Sequence, residues 1–346
     1  MANAARETLQ DIQNRQKNVG LAAVLTLNGE TVLFECIGFA DLEHRVPVTP
    51  KTQFGIASVT KAFTGIALLK LFEDGRIDLD APIQQYLPDF PESANSRITP
   101  RLLTAHLAGV RHWERERTPE LYSTHFANIL NVLTLFKDNP LKAPPGSKYH
   151  YSSPGYNLLA AVIQEAVQVR FQDYVVREIL TPLSLKDSGF DDVRRVLANR
   201  SRRYSYYDPV TYVEDKDNLY RVPEWDYSHN LAGGNMYATA VDLANFGNAL
   251  TQPGLLSQQA LDILYAPLYP QKSPWSFGWF VQVPKQSKQR CIYITGANPG
   301  VQAAIYVYPD DKFVGVILAN TWGVGSASGE MVTVLPQRLA EIYLNA

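Results

Sequence analysis

Ser58 and Lys61 stand three residues apart in "FGIASVTKAFTGIALLKLFEDG", the run that begins at Phe54. In a helix, residues i and i+3 share one face, so the hydroxyl and the amine would point into the same space. The residues that follow (Phe63, Ile66, Ala67, Leu68, Leu69, Leu71, Phe72) are apolar nearly all round, which predicts a buried helix. Burial disfavours the charged form of a lysine. A neutral amine against a serine hydroxyl is a base beside a nucleophile. The plain alternative is that Ser58 caps the helix while Lys61 snorkels to water. By itself the SxxK spacing is weak, since about one chance match is expected in a chain of this size.

Two further stretches carry groups that such a pair would need. In "PPGSKYHYSSPGYNLLAAVIQ", Tyr151 precedes a helix after a tight proline-glycine loop. A phenol near two ammonium groups would have a lowered pKa and could exchange a proton with Ser58 or a leaving group. Against this, most tyrosines simply pack with the hydroxyl on a rim. In "IYITGANPG" a strand ends in Thr295, Gly296 and Ala297. Glycine at a sheet edge admits close backbone approach, and free N–H groups there could hold a developing oxyanion or pair with a substrate amide. An ordinary strand end is the competing reading. His106 in "TAHLAG" reads as a structural histidine rather than a triad base. His150 alternates away from Tyr151 if the chain is extended there.

The elements that must position these groups follow from periodicity. Residues 5–17 predict an amphipathic helix, and "GLAAVLTL" and "TVLFECIGFA" predict a hairpin around "NGE". The Ser58 helix should stop at Gly75 in a left-handed cap. From there to about residue 270 the pattern is mostly helical, as in "FANILNVLTLF" and "GYNLLAAVIQEAV". Then "SFGWFVQV", "RCIYIT", "VQAAIYVYP" and "KFVGVILAN" return to period two and predict antiparallel strands. A final helix over roughly 329–344 carries Pro336 and should kink there. The expected organisation is α+β: residues 1–75 and 271–346 form a sheet region from both termini, and residues 76–270 form a mostly helical region, with the site between them.

Composition bounds the function. The 346 residues carry a formal net charge of −2 with no long run of one sign, so no nucleic-acid or anionic-membrane footprint is visible. No apolar run is long enough to span a membrane, and the polar N-terminus has no signal-like apolar core. A cytoplasmic protein is expected, unless a leader has been removed. Two cysteines, Cys36 and Cys291, make neither a disulfide framework nor a metal spacing and should pack as small apolar residues. The six histidines include no i, i+4 pair, so no metal site and no cofactor is expected. The run "GVGSASG" (Gly323–Gly329) misses the Rossmann, P-loop and GxSxG spacings and reads as a flexible loop.

Taken together, Ser58-Val-Thr-Lys61, Tyr151-Ser-Ser153 and Ile294-Thr-Gly296 resemble, in order and rough spacing, the three motifs of serine β-lactamase-like hydrolases. That group holds class C β-lactamases, DD-peptidases and esterases. "GFADLE", "ITPRLLTAHLAGVRHW", "AGGNMYATAVDLANFGNAL" and "SFGWFVQ" look like family segments, so the resemblance runs almost the whole chain. "LAGVRHWERE" and the YSS triplet lean towards the mitochondrial serine β-lactamase-like branch and its bacterial relatives. The resemblance implies that Ser58 is acylated, that Lys61 is its proton partner and that Tyr151 is the general base. It further implies an oxyanion hole from the backbone N–H groups of Ser58 and Ala297, with Thr295 and Gly296 lining the cleft. The region before "AGG" flanks the cleft in this family, so rings from Tyr204–Tyr227 (Tyr204, Tyr206 and Trp225 among them) should form an apolar wall, or else pack on one another.

Two positions depart from the family pattern. Ser153 stands where class C enzymes have asparagine, and a hydroxyl lacks the amide's pair of donors. Ile294 stands where the third motif usually begins with lysine or histidine, and cannot pair with a substrate carboxylate. Lys288 or Arg290 could supply that charge, or be exposed strand-end residues. The expected activity is a cofactor-independent serine hydrolase acting on small-molecule esters. A peptidase or amidase is the nearest alternative, and a scaffold that kept the fold without turnover is the alternative from another class. The sequence leaves the oligomeric state open.

Overall fold

The computed structural model describes residues 1–91, 97–113, 121–208, 211, 213–282, 289–325 and 329–345. Lys288, Tyr212, the end of "LAGVRHWERE" and the middle of "GVGSASG" lie outside the described residues. Eight strands form one antiparallel sheet: β1 Gly20–Leu27, β2 Glu30–Asp41, β3 Val46–Pro47, β4 Trp275–Ser276, β5 Trp279–Gln282, β6 Cys291–Asn298, β7 Val301–Tyr308 and β8 Phe313–Ala319. Their order is β3-β2-β1-β8-β7-β6-β5-β4, so the first and last parts of the chain meet at the β1–β8 pair, where Leu21 faces Ala319 and Leu27 faces Phe313.

Strict alternation along the central strands divides two cores, because successive side chains point to opposite faces. Ala22 and Val24 of β1, Ala303, Ile305 and Val307 of β7, and Val314, Val316 and Leu318 of β8 face the larger core. Leu21, Ala23 and Leu25, Ala304 and Tyr306, and Phe313 and Ile317 face the smaller one. The smaller core is covered by α1 (Ala2–Gln16), which supplies Ala5, Leu9 and Ile12, and by the C-terminal helix. That helix is divided as Pro336 requires: a short helix Glu330–Thr333 precedes a second at Leu335–Leu344, in which the proline occupies the first turn. Cys36 packs against the larger core and Cys291 lies in the smaller one, neither in a disulfide.

The larger core is built around α2 (Thr60–Glu73), which is buried on every side from Thr60 to Leu69. Ser58 is not inside this helix. A 3-10 turn, Ala57–Val59, precedes it, and Gly75 ends it at φ 66°. α3 (Ser153–Val167) and α4 (Ala240–Asn248) pack with it, Phe246 stacking on Phe63 at 4.1 Å. "FANILNVLTLF" gives only one helical turn and a half, Ile129–Leu133, because Asn128 caps its start and the Thr134 hydroxyl turns back to the Asn131 carbonyl. Two small three-stranded sheets of two- and three-residue strands, too short to show a period, hold the middle region to the ends. Among the described residues no helix is long and apolar enough to cross a membrane.

One close approach fixes α2 against the sheet. A Cβ at Gly65 would lie 1.7 Å from the Phe277 carbonyl oxygen, on the link between β4 and β5. Neither the buried helix nor the strand link can yield without opening the core. Gly65→Ala should therefore destabilise the protein by about 3 kcal/mol or more, although alanine is the better helix former. A urea melt of that variant unchanged from wild type would show that α2 and the sheet are not packed this closely.

Candidate active site

Ser58 sits on a turn held from both sides. Ala57 has φ 44°, a left-handed conformation unusual for a residue with a Cβ. The turn is fixed by the Ile56 N–H on the Met236 carbonyl and by the Met236 N–H on the Thr60 hydroxyl. β6 closes on it. β5 pairs only with Cys291–Tyr293, which leaves the β5-side edge of β6 open from Thr295 to Asn298. A Cβ at Gly296 would lie 2.2 Å from the Ile56 carbonyl oxygen and 2.9 Å from the Ser58 nitrogen. Only glycine lets the strand end reach the Ser58 backbone.

Lys61 is fully buried, and among the described residues it meets no carboxylate. Its Nζ lies 3.2 Å from Ser58 Oγ and 3.1 Å from Ser153 Oγ, and it donates to the Gly233 carbonyl. It also lies 4.9 Å and 5.6 Å from the ring centroids of Tyr151 and Tyr156. Such faces favour a cation by about 0.5–2 kcal/mol. Taking an ammonium out of water without a counter-ion costs several kcal/mol more. Burial therefore wins and pulls the Lys61 pKa well below its ordinary 10.5.

Tyr151 donates from its hydroxyl to Ser58 Oγ at 2.7 Å, with the Ser153 hydroxyl beside it. The expectation of a lowered phenol pKa is corrected here. Burial comes first and outweighs the neighbouring hydroxyls, pushing the phenol up to about 12, while the amine beside it is itself pulled well below its ordinary value. Tyr151 is a proton donor at neutral pH.

Sequence reasoning missed two participants, the Gly233 carbonyl and His112. The Gly233 carbonyl comes from the turn Leu231–Gly234, packed over Asn230, whose Oδ1 accepts from the Trp113 indole. A backbone acceptor leaves no mark in a motif beyond the "AGG" itself. His106 and His112 both touch the Tyr151 ring, at 4.5 and 5.4 Å between centroids. His106 is buried, with Nδ1 accepting from the Ser152 N–H, which suits the structural reading.

The pocket candidates separate. Trp225 stacks on Tyr122 in a cluster with Tyr227 and His229, and His229 reaches Trp113 behind the Gly233 turn. Tyr204 is buried, its hydroxyl accepting from the Leu42 N–H, and Tyr206 lies beneath the Lys17 amine, so both are engaged away from Ser58. Ile294 shares a strand face with Gly296 but is 1% exposed within the larger core, so it offers a ligand no surface. Arg290 is bound to Asp310 and supplies no free charge. Among the described residues the one cluster of three metal-ligating side chains, Asp41, Glu43 and His44, lies at the exposed end of β2, where Asp41 is held by Arg202 and His44.

The neutral amine has a thermodynamic signature. In the unfolded chain Lys61 keeps its proton up to about pH 10.5; in the fold it has lost it well below that. The unfolded state then holds one more proton across this window, and stability rises with pH by up to about 1.4 kcal/mol per unit. Urea melts at pH 7 and 9 should show wild type gaining on Lys61→Met. An equal change in both proteins would place an ammonium in the native site.

Comparisons with known proteins identify the family. The family model described as Beta-lactamase matches residues 5–333. The chain is 27% identical to the "Serine beta-lactamase-like protein LACTB, mitochondrial" of Homo sapiens over 89% of its own length and 72% of that protein. A penicillin binding protein from Bacillus halodurans is 26% identical, with TM-score 0.74, over 90% of this chain and 94% of that one. The D-amino acid amidase from Ochrobactrum anthropi SV3 shares the fold at TM-score 0.83, 24% identical, over 99% and 98% of the two chains. The chain belongs to the Beta-lactamase family of serine hydrolases.

Proposed function

We propose that this hydrolase cleaves small carboxylic esters first, and neutral amides more slowly, through a covalent acyl-enzyme on Ser58. One observation carries the reading: the Ser58 hydroxyl is reached at once by the Lys61 amine and the Tyr151 hydroxyl, and the same amine bonds Ser153. A neutral Lys61 has two N–H donors and one lone pair. The donors go to the Gly233 carbonyl and Ser153 Oγ, and the lone pair remains for the Ser58 hydroxyl. Ser153 lies beside Tyr151, and Tyr151 donates to Ser58, so the four groups form an open ring.

The ring supports an order of events. Ser58 Oγ attacks the substrate carbonyl carbon, and its proton passes to Lys61, because the phenol still holds its own. Lys61 gives a proton to Ser153, Ser153 gives its own to Tyr151, and Tyr151 protonates the leaving oxygen or nitrogen as the bond to carbon breaks. Each group ends with the protons it began with. Water then attacks the acyl group, passes a proton back through Tyr151, Ser153 and Lys61, and frees Ser58. The N–H groups of Ser58 and Ala297 hold the oxyanion, Thr295 and Gly296 form the wall beside it, and Ser153 serves as a relay that an amide could not match.

Substrate class follows from what the third motif lacks. Ile294 is buried and apolar, so among the described residues this position offers a substrate carboxylate no cation. That favours esters and neutral amides over penicillins and D-Ala-D-Ala peptides. A fluorophosphonate should add its mass to Ser58 and not to a Ser58→Ala protein. Butyrate ester hydrolysis should exceed nitrocefin turnover in kcat/KM; comparable values would overturn the substrate assignment. Ser153→Ala should lose about 10²-fold in kcat with KM little moved, the usual scale for a positioned proton carrier. Wild-type kcat in that variant would remove Ser153 from the relay.

A further inference from the structure

Tyr151 is useful only where its hydroxyl meets Ser58, yet a phenol is held by rotation about two bonds and by its backbone. The start of α3 is where that backbone is fixed. Every early N–H of this helix is accounted for, which is uncommon without water or an anion. The Ser152 N–H goes to His106 Nδ1 at 3.1 Å and the Ser153 N–H to His112 Nδ1 at 3.2 Å. Pro154 has none, and the Gly155 N–H goes to Ser152 Oγ at 2.9 Å. The two histidines thus bind consecutive peptide groups directly after Tyr151, and their rings also lie against the Tyr151 ring, one tilted by 38° and the other edge-on at 75°.

We propose that His106 and His112 form a clamp that positions Tyr151 and Ser153, with His112, at the protein surface, the positioning residue that can be altered without opening the core. The inference rests on Tyr151 being the proton donor proposed above. Each Nδ1 must present a lone pair to an N–H, so each imidazole carries its hydrogen on Nε2. A second proton would set a cation against a backbone donor at the positive end of a helix. Desolvation acts in the same sense, pulling buried His106 well below the usual histidine range and His112, whose ring is partly covered by its neighbours, to about 4. At His106 the Nε2 hydrogen has no hydrogen-bond partner among the described residues and faces rings, with Trp275 edge-on at 4.7 Å. His112 reaches the surface, where an ordinary histidine would gain by turning to water. Its engagement with Ser153 and Tyr151 is what the clamp explains.

Three variants at one position test this. His112→Ala removes ring and acceptor, His112→Phe keeps a ring without an acceptor, and His112→Asn places an amide oxygen where Nδ1 was. The clamp requires kcat on a butyrate ester to fall about 10- to 100-fold in the alanine and phenylalanine enzymes, with KM little changed, since a misplacement of about 1 Å costs on that order. The asparagine enzyme should recover most of the loss. Thermal melts within a few degrees of wild type separate this from misfolding; for a variant that melts early, the asparagine-to-alanine comparison at a temperature where both are folded decides. A phenylalanine enzyme as active as wild type, or an asparagine enzyme as impaired as the alanine one, overturns the clamp. Tyr151→Phe distinguishes the two layers: full activity there defeats the underlying reading, whereas an inactive Tyr151→Phe beside active His112 variants defeats the clamp alone.

Discussion

A lysine amine buried without a counter-ion is the constraint on which the rest of the site depends. Lys61 is surrounded by two hydroxyls, one carbonyl and two aromatic faces, and among the described residues no carboxylate answers it. A carboxylate at hydrogen-bond distance would hold the ammonium and end its use as a base. The surroundings are polar enough to satisfy an amine and not charged enough to keep a proton on it. That balance leaves an amine of lowered pKa against the Ser58 hydroxyl.

Holding that balance takes both layers of the molecule. Ser58 and Lys61 come from the turn and first residues of α2, Tyr151 and Ser153 from the start of α3, Gly233 from the turn before α4, and Gly296 from the edge of β6. No pair of these segments is close in sequence, and each is fixed by contacts that do no chemistry. Gly65 brings α2 onto the β4–β5 link, Gly296 brings β6 onto Ile56, and Asn230 with the aromatic cluster backs the Gly233 turn. The left-handed Ala57 is the local cost of presenting a serine ahead of the helix rather than within it.

The two departures from the family pattern differ in kind. Ser153 remains in the network, its hydroxyl bonded to the Lys61 amine and lying beside Tyr151. Ile294 leaves the cleft altogether and becomes part of the core beneath it. One change keeps a hydroxyl bonded to Lys61, while the other puts an apolar side chain into the core where the family pattern has a charge.

The sequence by itself determined the sheet strands, the buried α2 helix, the break at Pro336 and the three motifs, because alternation, all-round apolarity, proline and short spacing are local properties. It could not rank Tyr204, Tyr206 and Trp225, since an aromatic-rich loop shows no register and each ring's neighbours come from distant segments. The sign of the Tyr151 pKa shift was also beyond it, because that depends on whether the amine beside the phenol is charged, and burial decides this only once the whole core has closed. The Gly233 carbonyl and the two histidine acceptors were illegible for a related reason: a backbone atom has no residue type to read, and Nδ1 acquires its role only when the start of α3 is brought against it.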